Sequence, residues 1–271
     1  MKTEALMNEI ELPLDERNFA HVLTALAFAG IADSAEELNS DPCCWWTEGH
    51  FKLRVSRSRE QLFTEAHALA KSIRWTDGIG CDEKKQVKAS PHHGLFTAAG
   101  FDGINPLLNY EDGGISSSVF KAFSGRLNPG GLLRKQIAEL KAVGETPDWL
   151  FQQGKGVASW KFDCRVAGHA YDQGFSADAE GSGDATPFYP AIELLSIAGA
   201  TFFASPHAWL ASEESLSYCI WQESVSLHLA PLAAADLIEG VGGRRYGLAT
   251  RGNAYGKGAA YRHFPEANPI L

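Results

Sequence analysis

The sequence predicts an α+β fold built on an antiparallel-rich sheet. Three observations lead there: short alternating stretches near the N-terminus, amphipathic helical segments between them, and the absence of any run of about 18 apolar residues that would span a membrane. With 271 residues, 45% of them hydrophobic, the chain can bury a substantial core. No internal repeat or linker divides it, so residues 1–271 read as a single elaborated domain.

Each element follows from its pattern. EIELPL, residues 9–14, alternates and reads as a strand. A buried helix follows over residues 18–31, capped by Asn18, with Phe19, Val22, Leu23, Leu26 and Ile31 as its apolar face. CCWWTEGHFKLRV, residues 43–55, reads as a hairpin turning at Thr47, Glu48 and Gly49. Leu62, Phe63, Ala66, Leu69, Ala70 and Ile73 stand at helical spacing in a second amphipathic helix, 59–74. The opening order is therefore β-α-β-β-α. Between about 76 and 129 the periodicity weakens and Gly, Asp, Asn and Ser accumulate, which marks an insertion of loops and short elements. Beyond it come a helix from about Gly130, a strand in VASWKFDCRV (157–166) and a helix in FYPAIELLSIAGA with Pro190 in its first turn. A strand or hairpin in SLSYCIWQESVSLHL, a short helix in PLAAADLIEG and a glycine-rich end complete the chain.

The chemistry-bearing residues exclude more than they select. Cys43, Cys44, Cys81, Cys164 and Cys219 are an odd set with two adjacent, a poor disulfide framework and better read as reduced thiols. There is no C-x-x-C pair for zinc, and neighbouring strand cysteines point to opposite faces. An EF-hand register starting at Asp178 sets Glu180, Ser182 and Asp184 at ligand positions but meets Tyr189 where a bidentate carboxylate is needed. The acidic loop thus reads as a solvated connection, and no metal or cofactor is expected. No phosphate-binding loop, nucleophile elbow or dinucleotide fingerprint stands in its proper context. His92 and His93 are the remaining acid/base candidates, in a loop after Pro91. The N-terminus is acidic and carries no leader pattern, so the expected location is cytoplasmic.

The net charge of −9 argues against a protein that coats nucleic acid indiscriminately, yet charge is unevenly distributed. Between Gly240 and Phe264 there is no acid, while Arg244, Arg245, Arg251, Lys257 and Arg262 alternate with Tyr246, Tyr255 and Tyr261. Cations for phosphates and aromatic faces for bases are the ingredients of an RNA groove; solvated charges on a glycine-rich hairpin would produce the same pattern. Lys84, Lys85 and Lys88 form a second basic stretch.

Several segments together carry a resemblance. VLTALAFAGIA, CCWWTEGHFKLRV and above all YDQGFSADA followed by FYPAIELLSIAGATFF resemble a small CRISPR-associated protein family of type I-U loci, also called I-G. The pattern comprises Asp172, Gly174, Phe175 and Ser176, then Tyr189, Pro190, Ile192, Glu193, Leu194 and Leu195; the intervening AEGSGDAT is longer than that pattern leads one to expect. The resemblance implies an elaborated ferredoxin-like, RRM-like fold of the RAMP superfamily, with both its backbone-forming and its CRISPR-RNA-end-binding branches left open. It implies a noncatalytic subunit of a type I effector complex, with guide RNA and other effector subunits as partners and no membrane association. On that reading the RNA-binding residues are Arg244, Arg245, Tyr246, Arg251, Tyr255, Lys257, Arg262, Lys84, Lys85 and Lys88. The alternatives are a metal-independent CRISPR RNA-processing endoribonuclease using His92 or His93, and a protein-interaction subunit without RNA contact.

Overall fold

The computed structural model describes residues 7–34, 41–77, 94–97, 129–154, 163, 189–200, 202, 215–249, 251–254, 260–263 and 268–270. It is a mixture of helices and antiparallel sheets. The opening unit has the expected order: β1 (Asn8–Leu12), α1 (Phe19–Asp33), β2 (Cys43–Thr47), β3 (His50–Val55) and α2 (Arg59–Ser72). Asn18 caps α1 by accepting the Ala20 N–H at 3.1 Å. Ser58 and Gln61 form a reciprocal capping box on α2. Gly49, at φ +71°, takes the left-handed position that the β2–β3 turn requires.

In the main sheet the strands lie in the order β1-β3-β2-β7, where β7 is Val225–Ser226, and every pairing is antiparallel. Register sorts the residues by face. Ile10, Leu12, Cys44, Trp46, Phe51, Leu53, Val55 and Val225 are buried on the inner face, whereas Glu9, Glu11, Lys52 and Arg54 occupy the outer one. The inner face joins one core with α1, α2, α3 (Pro129–Val143) and α4 (Pro190–Ala200).

The closest packing is between α1 and α4. Gly199 on α4 lies so near the Leu23 carbonyl that a Cβ there would overlap the backbone oxygen. Along the same seam the Ser196 hydroxyl sits between the carbonyls of Ile192 (2.7 Å) and Ala20 (2.9 Å), and the Thr24 hydroxyl reaches Ile192 O at 3.4 Å. At its end Asn18 donates to Asp163 Oδ1 (2.8 Å), and Glu193 Oε1 accepts the Asp163 N–H (3.3 Å), all three residues being buried. Glu193, read in the sequence as part of the family pattern, thus serves the interior.

A second sheet, β11-β8-β6, joins β6 (Ser215–Trp221), β8 (Gly243–Ala249) and β11 (Asn268–Ile270). Two hairpins stand apart from it in pairing: β4 (Arg74–Asp77) with β5 (Gly94–Thr97), and β9 (Arg251–Ala254) with β10 (Ala260–His263). The segment expected to be one long strand or hairpin is divided between sheets. β6 joins the second sheet, β7 the first, and a 3-10 turn follows at Leu227–Leu229. The short helix α5 (Ala230–Ala234) ends in a Schellman motif, with Asp236 N bonded to Ala233 O (3.0 Å) and Leu237 N to Leu232 O (2.9 Å). Asp236 takes the left-handed position at φ 59°. The exposed Leu232 and Leu237 are the apolar pair of that motif. The expected strand at 157–166 lies outside the described residues except for Asp163, and most of the 76–129 insertion lies outside them too.

Candidate nucleic-acid interface

Arg244, Arg245 and Tyr246 lie on β8. Because side chains alternate along a strand, Arg244 and Tyr246 belong to one face and Arg245 to the other. The register agrees: Tyr246 is opposite Tyr218, Arg244 opposite Ile220, and Arg245 opposite Cys219. The first face turns to the core. The Tyr246 ring stacks on Tyr218 with centroids 5.6 Å apart, and Tyr218 packs on Phe19 of α1 at 5.3 Å.

Glu16, just before α1, is the hub of this face. Its carbonyl accepts from Tyr218 Oη (2.8 Å), and its carboxylate accepts from Tyr246 Oη (2.6 Å) and from Arg244 (3.2 Å). Arg244 also approaches Glu48 at 3.8 Å. Burial, and then donation to Glu16, raise the Tyr246 pKa and keep the phenol protonated. The hydrogen bond with Tyr246 and the charge of Glu16 raise the Arg244 pKa. On the other face Arg245 pairs with Asp236 at 2.5 Å. Beneath them Cys219 is pushed up to about 11, first by burial and then by the Asp236 charge, so its thiol is inert near neutral pH. Cys43, Cys44 and Cys219 are free and buried, and burial also raises Cys44 well above the ordinary thiol range.

Two corrections to the sequence reading follow. Tyr246 is 2% exposed, so its ring is a core element tied to Glu16 and offers no face on which a base could stack. Arg244 and Arg245 do not line one groove, because they project to opposite faces of β8 and each is engaged by a carboxylate. Arg251 and Arg262 lie on the β9–β10 hairpin, opposite His263 and Gly252 respectively. Tyr255, Lys257, Lys84, Lys85, Lys88, His92, His93 and the acidic loop from Asp172 to Thr186 lie outside the described residues.

One histidine pair escaped the sequence reading. His67 on α2 is buried against Trp149, ring centroids 4.8 Å apart, with Nδ1 2.9 Å from Glu145, which also accepts from Lys71 at 3.1 Å. Burial, then the Lys71 charge, lowers the His67 pKa, while Lys71 and then His67 lower that of Glu145. Both directions describe a neutral imidazole donating from Nδ1 to an ionised carboxylate. The contact joins α2 to the turn after α3. Nothing in the local sequence signalled it, since the partners are 78 residues apart.

Among the described residues no cluster of three or more His, Cys, Asp and Glu is placed to hold a metal ion, and no helix is long and apolar enough to cross a membrane. The chain matches no protein-family model, no curated protein and no solved structure.

Proposed function

We propose that the chain is a noncatalytic RNA-binding subunit of a type I CRISPR effector complex, contacting guide RNA through its sugar-phosphate backbone. The observation that carries the reading is the opening unit. α1 connects β1 to β2 while β3 inserts between them antiparallel to both, which is the split β-α-β arrangement of ferredoxin-like folds. The same unit holds two of the segments that resemble the type I-U family. The elaboration begins after α2: β4, at the point where a fourth ferredoxin strand would return to β1, pairs with β5 instead, and β7 extends the sheet beside β2. Backbone contacts need only well-placed cations, since base pairing by the guide supplies sequence specificity in such complexes.

A subunit that touches only protein is the second reading, favoured by the carboxylates that already engage Arg244 and Arg245. Titrating the full chain into labelled single-stranded RNAs of unrelated sequence, at several salt concentrations, separates the two. Salt-dependent binding that is indifferent to sequence is expected. An absence of binding at low salt would overturn the RNA reading and leave the protein-interaction subunit.

A further inference from the structure

The basic residues of this protein differ in what holds them. Arg17 pairs with Asp15, Lys52 with Glu9 and Glu11, Arg57 with Glu65, Lys71 with Glu145, Arg244 with Glu16, and Arg245 with Asp236. α3 differs. Arg134, Lys135 and Lys141 are all exposed, and no described residue forms an ion pair or hydrogen bond with any of their side chains; Arg54 on β3 is likewise exposed without such a partner, but among the described elements α3 gathers three such cations.

Helix geometry collects these three cations on one face. At 100° per residue, Lys141, Arg134, Ala138, Ala142 and Lys135 fall, in that angular order, within an arc of about 120°. All five are exposed, while Leu132, Leu133, Gln136 and Leu140 are buried on the opposite side. Glu139, the only acid of the helix, is half-buried at the margin of the arc. Arg134 and Lys141 are seven residues apart, about 10 Å along the axis. Around the arc, between that pair and Lys135, the face carries only the methyl groups of Ala138 and Ala142, so an extended strand can lie close to the helix. α3 packs beside β4, whose exposed Arg74 is hydrogen-bonded to the carbonyls of Lys71 and Ile73 rather than to a carboxylate.

We infer that the exposed face of α3, with Arg134, Lys135 and Lys141, is the surface on which this protein carries the phosphate backbone of a single-stranded RNA. The inference rests on the RNA-binding reading above and moves its centre from β8 to α3. Charge complementarity selects the occupant. In a chain of net charge −9 these cations have no internal counterion among the described residues, so a phosphate need not displace a carboxylate to reach them. A protein partner is the poorer match, because the face exposes no aromatic or large aliphatic residue to anchor an interface.

The test compares the full-length protein with Arg134→Gln/Lys135→Gln/Lys141→Gln and with Arg244→Gln/Arg245→Gln, using labelled single-stranded RNA over a salt series. All five positions are exposed, and matching thermal transitions confirm that each variant is folded. The α3 variant is expected to bind more weakly and to show a log affinity less steep in log salt by about 2, at about 0.7 per lost phosphate contact. The β8 variant should change less. If wild type binds RNA and the α3 variant retains both affinity and slope, the α3 assignment is overturned while the RNA reading stands. If wild type binds no RNA at any salt, both fall. Should wild type instead self-associate at low salt, and the α3 variant not, the occupant is an acidic protein surface and the RNA assignment is overturned.

Discussion

The seam between α1 and α4 and the rim formed by β8 are both rich in polar groups, but the cost of disturbing them differs. In the seam, Ser196, Thr24 and Asn18 reach backbone or carboxylate partners while wholly enclosed by the core. An enclosed group that loses its partner cannot recover a bond from water. At the rim, the guanidinium groups of Arg244 and Arg245 are about half or more exposed, and water replaces whatever a carboxylate supplies. The seam therefore sets stability. The rim sets which charges face outward, and α3 carries that difference further by leaving its cations without internal partners.

The largest effect should come from Gly199→Ala. The added methyl has no rotamer with which to escape the Leu23 carbonyl, so the helices must separate, at an expected cost of about 3 kcal/mol in urea denaturation. A loss below about 1 kcal/mol would show that the seam relaxes as easily as the rim and would break the comparison.

Tyr246→Phe probes the boundary between the regions, because its hydroxyl leaves a buried ring to meet the Glu16 carboxylate. Removing a hydrogen bond to a charged, mostly covered acceptor should cost about 1.5 kcal/mol, and Arg244→Ala, at the solvent-exposed side of the same carboxylate, should cost less. Equal costs, measured from urea midpoints, would mean that exposure does not separate the two bonds.

The smallest effect is expected at Asp236, where two terms oppose each other. Glycine suits φ 59° better than aspartate does, but Asp236→Gly also removes the exposed pair with Arg245, so the net change should stay within about 0.5 kcal/mol. Asp236→Asn, which tolerates the same backbone, isolates the ion pair and should cost less than about 1 kcal/mol. A larger loss in the asparagine variant would place Arg245 among the structural residues.

Much of the opening unit was legible in the sequence because its causes are local. The alternation of β1, the Asn18 cap, the glycine turn between β2 and β3, and the helical spacing of α2 each act within a few residues. Pro190 sits in the first turn of α4, as its missing N–H allows. The division of 215–229 between two sheets was not legible, since β6 and β7 are both apolar and alternating and only their distant partners distinguish them.

The candidate site divides along the same line. By itself the sequence determined that the chain is α+β, that it opens with β-α-β-β-α, and that its basic residues are concentrated in a few segments. Only the tertiary structure decided which of those charges are committed. Glu16 meets Tyr246 across 230 residues, and Asp236 reaches Arg245 because the Schellman turn after α5 sets it beside β8. The adjacent arginines, one cluster in a linear reading, are separated by the strand itself, while Arg134, Lys135 and Lys141 are gathered by a helix. The physical reason is that strand and helix periodicity sets the direction of a side chain, whereas the charge it meets depends on which distant element folds against it.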